Sequence, residues 1–230
     1  MHILHISSPI LYVGFVNLIQ QYPSCPNCKY MKILRQNHNV MMSSLSGFML
    51  LMITVGNFQT GKFESINDLL CLPYGDNFSA HIGATVFLWS KYLEWIDTLF
   101  LHMSEKPISM LHYTHHMSTA FLMYMNYYDY LSPHMYMFMG SNCFVHIWMY
   151  WYFADPNGWL YPYRMYITQI QIVQHIACLA TIAYTYALGH EQCEQNKYGN
   201  FCGALMYLMY LGFFAKFYIE KYLIKYKNET

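Results

Sequence analysis

Three histidines stand at 112, 115 and 116 in the segment LHYTHH. Spacings of three and four residues place all of them on one face of a helix. Upstream, KYLEWIDT carries Lys91, Glu94, Asp97 and Thr98, with Lys91, Glu94 and Thr98 sharing a helical face and Asp97 beside it. Downstream come Asn142 and His146, then Met149, Tyr150 and Tyr152, and after them Thr168, Gln171 and Gln174, again three apart. A neutral imidazole is a nucleophile and moves protons near neutral pH. Amides and hydroxyls beside it would stabilise an oxyanion or enolate. That combination suits acyl transfer. No serine sits in a nucleophile elbow, and Cys143 reads as packing, since nothing near it in sequence would activate a thiol.

The elements that must hold these residues are membrane helices. The chain has 230 residues, is 56% hydrophobic, only 10% charged and has no net charge. A soluble domain carries about 25% charged residues, and a neutral chain offers no basic face for nucleic acid. Its 24 Tyr and 12 His hide the membrane character on hydropathy scales, although Tyr sits well at membrane interfaces. Segments long enough to span a bilayer fall at about 3–21, 38–57, 80–102, 110–130, 134–154, 164–188 and 201–223. The reading is all-α: one polytopic domain over residues 1–230 with seven transmembrane helices. Lys29, Lys32, Arg35, Lys106, Arg164, Lys216, Lys221, Lys225 and Lys227 then fall on one side, and only Lys62 and Lys197 on the other. By the positive-inside rule the first side is cytosolic, so the N-terminus is lumenal and the C-terminus cytosolic.

This topology gives the polar residues a common depth. At ~1.5 Å per residue, Asp97 lies about 8 Å inside the cytosolic end of its span. The three clustered histidines lie about 3–9 Å in, His146 about 12 Å, and Gln171 and Gln174 about 10–15 Å. Ionisable groups at membrane depth are costly and usually functional, and residues scattered for structural reasons would not favour one layer. A polar chamber open to the cytosol is the simplest account. Taken singly, Lys91–Glu94 could be a structural ion pair, Gln171 and Gln174 interhelical glue, and His146 a satisfied core histidine. A metal is the alternative chemistry, because HxxHH boxes occur in di-iron membrane desaturases and hydroxylases. Such sites need several boxes, and only one is present. His2, His5, His38, His81, His102, His134, His175 and His190 stand singly, mostly at other depths, so no metal is expected. Cys25 and Cys28 form a CxxC without a second ligand pair and read as incidental. The sequon at Asn77 lies on the lumenal side, the one at Asn228 on the cytosolic side.

Taken together, the motifs resemble the ELO family of very-long-chain fatty acid elongases, the 3-oxoacyl-CoA synthases. KxxExxDT is intact at Lys91, Glu94, Asp97 and Thr98, HxxHH at His112, His115 and His116, and TxxQxxQ at Thr168, Gln171 and Gln174. HxxMYxYY appears as His146, Met149, Tyr150 and Tyr152, with Phe153 replacing the last Tyr. Cys143 replaces a frequent Ser, and the tail KYKNET departs from a dilysine retrieval signal. MYWYF and ITQIQIVQ look most like fungal-type members. The resemblance implies a seven-helix endoplasmic-reticulum enzyme whose helix barrel surrounds an acyl tunnel. It implies decarboxylative condensation of acyl-CoA with malonyl-CoA to 3-oxoacyl-CoA, with no bound cofactor. His115 would accept the acyl group. His112, His116 and His146 would complete the catalytic set. Lys91, Glu94, Asp97, Asn142, Tyr150, Gln171 and Gln174 would hold substrate or brace the histidines. The family's disulfide would join Cys71 to Cys193, with Cys202 as rival. Partners would be membrane lipid and the reductases and dehydratase of the elongation cycle, with a homodimer left open.

Overall fold

The fold comes from a computed structural model that describes residues 2–128 and 131–224. Every regular element among the described residues is helical. In order these are α1 (His2–Ile6), α2 (Ser8–Ile19), α3 (Lys29–Gln59), α4 (Ile66–Cys71), α5 (Phe78–Leu93) and α6 (Trp95–Met103). There follow α7 (Met110–Tyr128), α8 (Met135–Ala154), α9 (Arg164–Leu188) and α10 (Lys197–Tyr218), which ends in a π-helical turn, Ile219–Ile224. Lys225, Lys227, the Asn228 sequon and the last two residues of the expected fourth span lie outside the described residues.

Local chemistry accounts for the element ends. Asn77, Ser65 and Asn196 each accept a backbone N–H at the start of α5, α4 and α10, the usual use of a short polar side chain at an N-cap. Pro9 falls in the first turn of α2, where a missing N–H costs nothing. The helix α3 begins at Lys29, nine residues before the expected start of its span. Nothing between Pro26 and Gly47 breaks a helix, so Lys29, Lys32 and Arg35 ride on its first turns instead of in a linker. The expected third span is broken at Glu94 into α5 and α6.

Antiparallel helices close a ring. Around it, α3 packs on α5, α5 on α7, α7 on α10, α10 on α9, α9 on α8, and α8 back on α3. The pair α1 and α2 lies outside this ring against α7. The α3–α5 seam is a close approach. A Cβ on Gly56 would sit 2.8 Å from the Ala80 Cβ, and one on Gly83 would sit 3.0 Å from Ile53. Small residues let two backbones meet this way where packing, not hydrophobic burial, drives association. Many large apolar residues face outward, among them Leu51, Phe58, Val173, Phe201 and Leu208. Among the described residues, three stretches are long and apolar enough to cross a membrane: Lys29–Gln59, Tyr161–Leu188 and Lys197–Ile224. These features fit a membrane protein. The rods α5–α6, α7 and α8 carry Lys91, Glu94, Asp97, Asn142 and four of the site histidines.

Two cysteine pairs are bonded. Cys71 and Cys193 tie the end of α4 to the segment before α10, with Cα atoms 4.7 Å apart, and Cys202 is free. Cys25 and Cys28 are also joined. This corrects the reading of that CxxC as incidental: a turn carries Cys28 N–H back to the Cys25 carbonyl and brings the two Cα atoms to 5.4 Å. Near the first pair Lys62 is fully buried. Its ammonium donates to the carbonyls of Asp68 and Leu72 and lies 4.0 Å from the Tyr74 ring centroid.

Loss of hydration pushes the Lys62 amine down to about 8. Below that pH the lysine is charged in both folded and unfolded chains, and folding bears the full desolvation cost. Between about 8 and the ordinary lysine value of 10.5 the unfolded chain holds more protons, so stability rises with pH there. Lys62→Met should flatten that rise in a series of unfolding midpoints measured from pH 7 to 10.5 in detergent. For the disulfide, Cys193→Ser should cost about 2–4 kcal/mol. Alkylation of the unfolded wild-type chain should reach Cys71 and Cys193 only after reduction; labelling without reductant would remove the bond.

Candidate functional site

The break at Glu94 sets the centre of the barrel. Lys91 and Glu94 are 2% and 1% exposed and pair through Nζ and Oε1 at 2.7 Å. The same ammonium donates to Asn142 Oδ1 at 3.1 Å, and the Asn142 amide lies 3.3 Å from His146 Nε2. Glu94 therefore stands between two imidazoles, with His146 Nδ1 3.6 Å from one carboxylate oxygen and His116 Nδ1 3.9 Å from the other. An ion pair out of water repays its desolvation only with further hydrogen bonds, and Asn142 supplies one.

The helix α7 carries the clustered histidines. His112 Nε2 meets Thr98 Oγ1 at 2.9 Å, and Thr98 in turn meets the Tyr12 hydroxyl of α2 at 2.9 Å. The rings of His112 and His116 are 4.2 Å apart, and Trp95 fixes the backbone there by donating to the His116 carbonyl. His115 points to a different neighbourhood. Its ring meets His116 edge-on at 5.2 Å and lies 5.1 Å from the Tyr210 ring. From α9, the Gln171 amide reaches Met149 Sδ at 3.5 Å, and the Gln171 carbonyl accepts from His175 Nδ1. Asp97 is doubly engaged, by His38 Nε2 at 3.0 Å and by the Tyr150 hydroxyl at 2.6 Å.

These groups line a cavity of about 370 Å³, within the usual range for a small-molecule site. Glu94, Asp97, His112, His115, His116, Asn142, His146, Tyr150, Gln171 and Gln174 all border it. Lys91 does not; it borders a second chamber of about 50 Å³. The two chambers share His115, Asn142, Gln174 and His175. Beyond them the smaller one is walled mostly by Phe87, Leu122, Met123, Met135, Phe138 and Met139, with Lys91, Thr119, Tyr207 and Tyr210 supplying its other polar atoms. The larger one is bordered by Arg35, Lys106, Arg164 and Lys221. These lie near the start of α3, before α7, at the start of α9 and after α10, which in an antiparallel ring is one end. His115 thus stands where a basic, polar entrance gives way to an apolar recess.

Two histidines set aside as single residues at other depths belong here. His38 reaches the site from α3 through Asp97, and His175 borders both chambers. Position 175 had a readable signal, one turn after Gln171 on a face already marked. Arg35 and Asn39 of α3 also border the cavity, but no motif in the sequence marked position 38. Tyr12 and Tyr210 were also missed, each one Tyr among 24.

Glu94, His115 and His116 bring one donor atom each within 4.8 Å of one another. That is the best metal-ligand group among the described residues, and it suits a di-iron centre poorly. It offers a single carboxylate, whose charge Lys91 already neutralises at 2.7 Å, whereas hard divalent ions are held by several anionic ligands.

Removing one partner of a buried pair strands the other charge. Lys91→Met should therefore cost about 3–5 kcal/mol. The double variant Lys91→Met/Glu94→Gln should recover most of that. Denaturant unfolding in detergent measures both, and a wild-type midpoint for Lys91→Met would show that the pair does not hold the barrel.

The whole chain matches a known family model. The match, over residues 2–230, is to ELO, the GNS1/SUR4 family. "Fatty acid elongase sre1" of Dictyostelium discoideum is 24% identical over 225 residues, covering 96% of this chain and 84% of that protein. "Fatty acid elongase A" of the same organism is 26% identical, over 80% of this chain and 70% of its own length. The human "Very long chain fatty acid elongase 6" is 31% identical over 64% of this chain and 57% of its own length. With four ordered motifs gathered around one cavity and a family match from end to end, the chain belongs to the ELO family.

Proposed function

We propose that the protein is a fatty acid elongase of the condensing type, a 3-oxoacyl-CoA synthase joining a long-chain acyl-CoA to malonyl-CoA. One observation carries the reading: His115 sits at the junction between an entrance bordered by four basic side chains and a recess walled by Met, Phe and Leu. A long-chain acyl-CoA has the same division, an anionic nucleotide at one end and an alkyl chain at the other, with the thioester between. Arg35, Lys106, Arg164 and Lys221 suit its phosphates. The methionines, being unbranched and adaptable, suit an alkyl chain.

The chemistry then needs two steps. A ring nitrogen of His115 attacks the thioester carbonyl, the carbon–sulfur bond breaks, and CoA leaves as thiolate after the imidazole proton is passed on. His116, 5.2 Å away ring to ring, is the nearest imidazole to receive that proton. Malonyl-CoA next loses carbon dioxide, and the electron pair of the broken carbon–carbon bond becomes an enolate. Asn142 and the Gln171 and Gln174 amides are placed to donate to its oxygen. The enolate carbon attacks the acyl-imidazole carbonyl, the new carbon–carbon bond forms as the carbon–nitrogen bond to His115 breaks, and the proton held by His116 returns to the His115 ring. His146, beside Asn142 and Glu94, orients the malonyl unit. His112, bonded to Thr98, holds the α7 face in place. No step calls for a bound cofactor or metal.

Seven helical rods fit seven spans, with the basic entrance on the cytosolic side of the endoplasmic-reticulum membrane, the N-terminus lumenal and the C-terminus cytosolic. The convergence of Arg35, Lys106, Arg164 and Lys221 on one end supports that orientation through the positive-inside rule. The Cys71–Cys193 bond at the opposite end would then face the oxidising lumen. The product needs reduction and dehydration to complete a cycle, so the reductases and dehydratase are the expected partners.

Purified protein in lipid, given graded acyl-CoAs and malonyl-CoA labelled at its free carboxyl group, should release labelled carbon dioxide and form 3-oxoacyl-CoA. With acyl-CoA alone, mass spectrometry should find an acyl adduct on the peptide containing His115. His115→Ala should lose both while the protein still inserts. Wild-type turnover in that variant would remove His115 from the mechanism.

A further inference from the structure

Asp97 sits at the meeting point of three ring-lining helices. It belongs to α6; Oδ1 accepts from His38 of α3 at 3.0 Å, and Oδ2 accepts from the Tyr150 hydroxyl of α8 at 2.6 Å. His38 is 7% exposed and Tyr150 1%, so neither finds an equivalent partner in water. The Tyr150 ring in turn meets the His146 imidazole edge-on, with centroids 5.4 Å apart and planes at 80°. His146 is one turn before Tyr150 on α8 and completes the contact to Glu94 and Asn142. Each link is short and fully specified, and the first one lies on a helix that carries none of the family motifs.

We propose that His38 is a positioning residue for the reaction: its bond to Asp97 fixes the carboxylate that receives the Tyr150 hydroxyl, and so holds Tyr150 against the His146 ring. This rests on the condensing function given above. Two consequences distinguish it from a generic core contact. The Tyr150 hydroxyl is committed to Asp97 and is not a donor to substrate. His38 borders neither chamber and meets Asp97 and the edge of the Tyr150 ring, so its influence on the reacting groups runs chiefly through those two residues. Without His38 the carboxylate is free to rotate about its own bond, Tyr150 loses a fixed acceptor, and the His146 ring loses its edge contact. A small displacement of a group that orients substrate lowers turnover more than binding.

The test compares His38→Ala, His38→Gln, Tyr150→Phe and the double variant His38→Ala/Tyr150→Phe in the condensation assay. Hydrogen bonds to a charged acceptor are strong enough that His38→Ala should lower kcat roughly 10-fold, with KM for both thioesters nearly unchanged. His38→Gln keeps an N–H donor for Asp97 and should recover most of the loss. The double variant should be no slower than the worse single one, since both changes cut the same chain. Wild-type kcat in His38→Ala, or losses that multiply in the double variant, would overturn the proposal. If the wild-type protein forms no 3-oxoacyl-CoA, the functional reading fails instead. The same cycle read on unfolding midpoints still decides the coupling: non-additive shifts support it, and additive shifts refute it.

Discussion

The structure depends on keeping a lysine and a glutamate together where neither can reach water. Lys91 and Glu94 lie one turn apart, almost wholly buried, at the break between α5 and α6. Two separated charges would not persist there, because the cost of removing each from water is several kcal/mol. Their attraction and the third contact from Asn142 make burial tolerable. This fixes the spacing of α5–α6 against α8. Glu94 then lies between His116 of α7 and His146 of α8, 3.9 and 3.6 Å from their Nδ1 atoms. The pair is thus the charged centre around which three helices meet.

The ring of helices has a complementary division of labour. Its outside is apolar and its middle carries ion pairs, imidazoles and amides, the reverse of a water-soluble bundle. Polar groups at that depth cannot be left to solvent, so they must satisfy one another or line a cavity. Both outcomes occur. Thr98, Tyr12 and His112 close a hydrogen-bonded chain, whereas Gln174 and His115 border open space in both chambers. The α1–α2 rod outside the ring is not idle in this scheme, since Tyr12 supplies the far end of the Thr98 chain from a helix that otherwise packs on α7.

Much of this was legible from residue spacing. The i, i+3, i+4 pattern at 112, 115 and 116 and the shared depth of four segments located the chamber. Alternating linkers placed the basic entrance on one side. Two things were not legible, for physical reasons. Hydropathy could not separate a span that is broken and polar inside from one that is not, so the joint at Glu94 and the early start of α3 passed unseen. A contact between distant helices also leaves no periodic trace when only one partner sits in a motif. His38 meets Asp97 across 59 positions of sequence, and nothing around residue 38 announces it. The turn that joins Cys25 to Cys28 was missed because spacing was judged against metal sites, which need a second pair, instead of against each other.

The two chambers impose a direction on whatever enters. A molecule with an anionic end and an alkyl end gains from only one orientation, because reversing it would place phosphates against Met123, Met139 and Phe138 and leave the alkyl chain among Arg35, Lys106 and Arg164. The one ammonium there, Lys91, is already paired with Glu94, and a phosphate left unpaired among apolar side chains costs far more than a hydrophobic contact returns. Orientation is therefore decided by the two ends, before any reacting group is involved. His115 stands where the two environments meet, whereas His112 and His116 border the larger chamber alone.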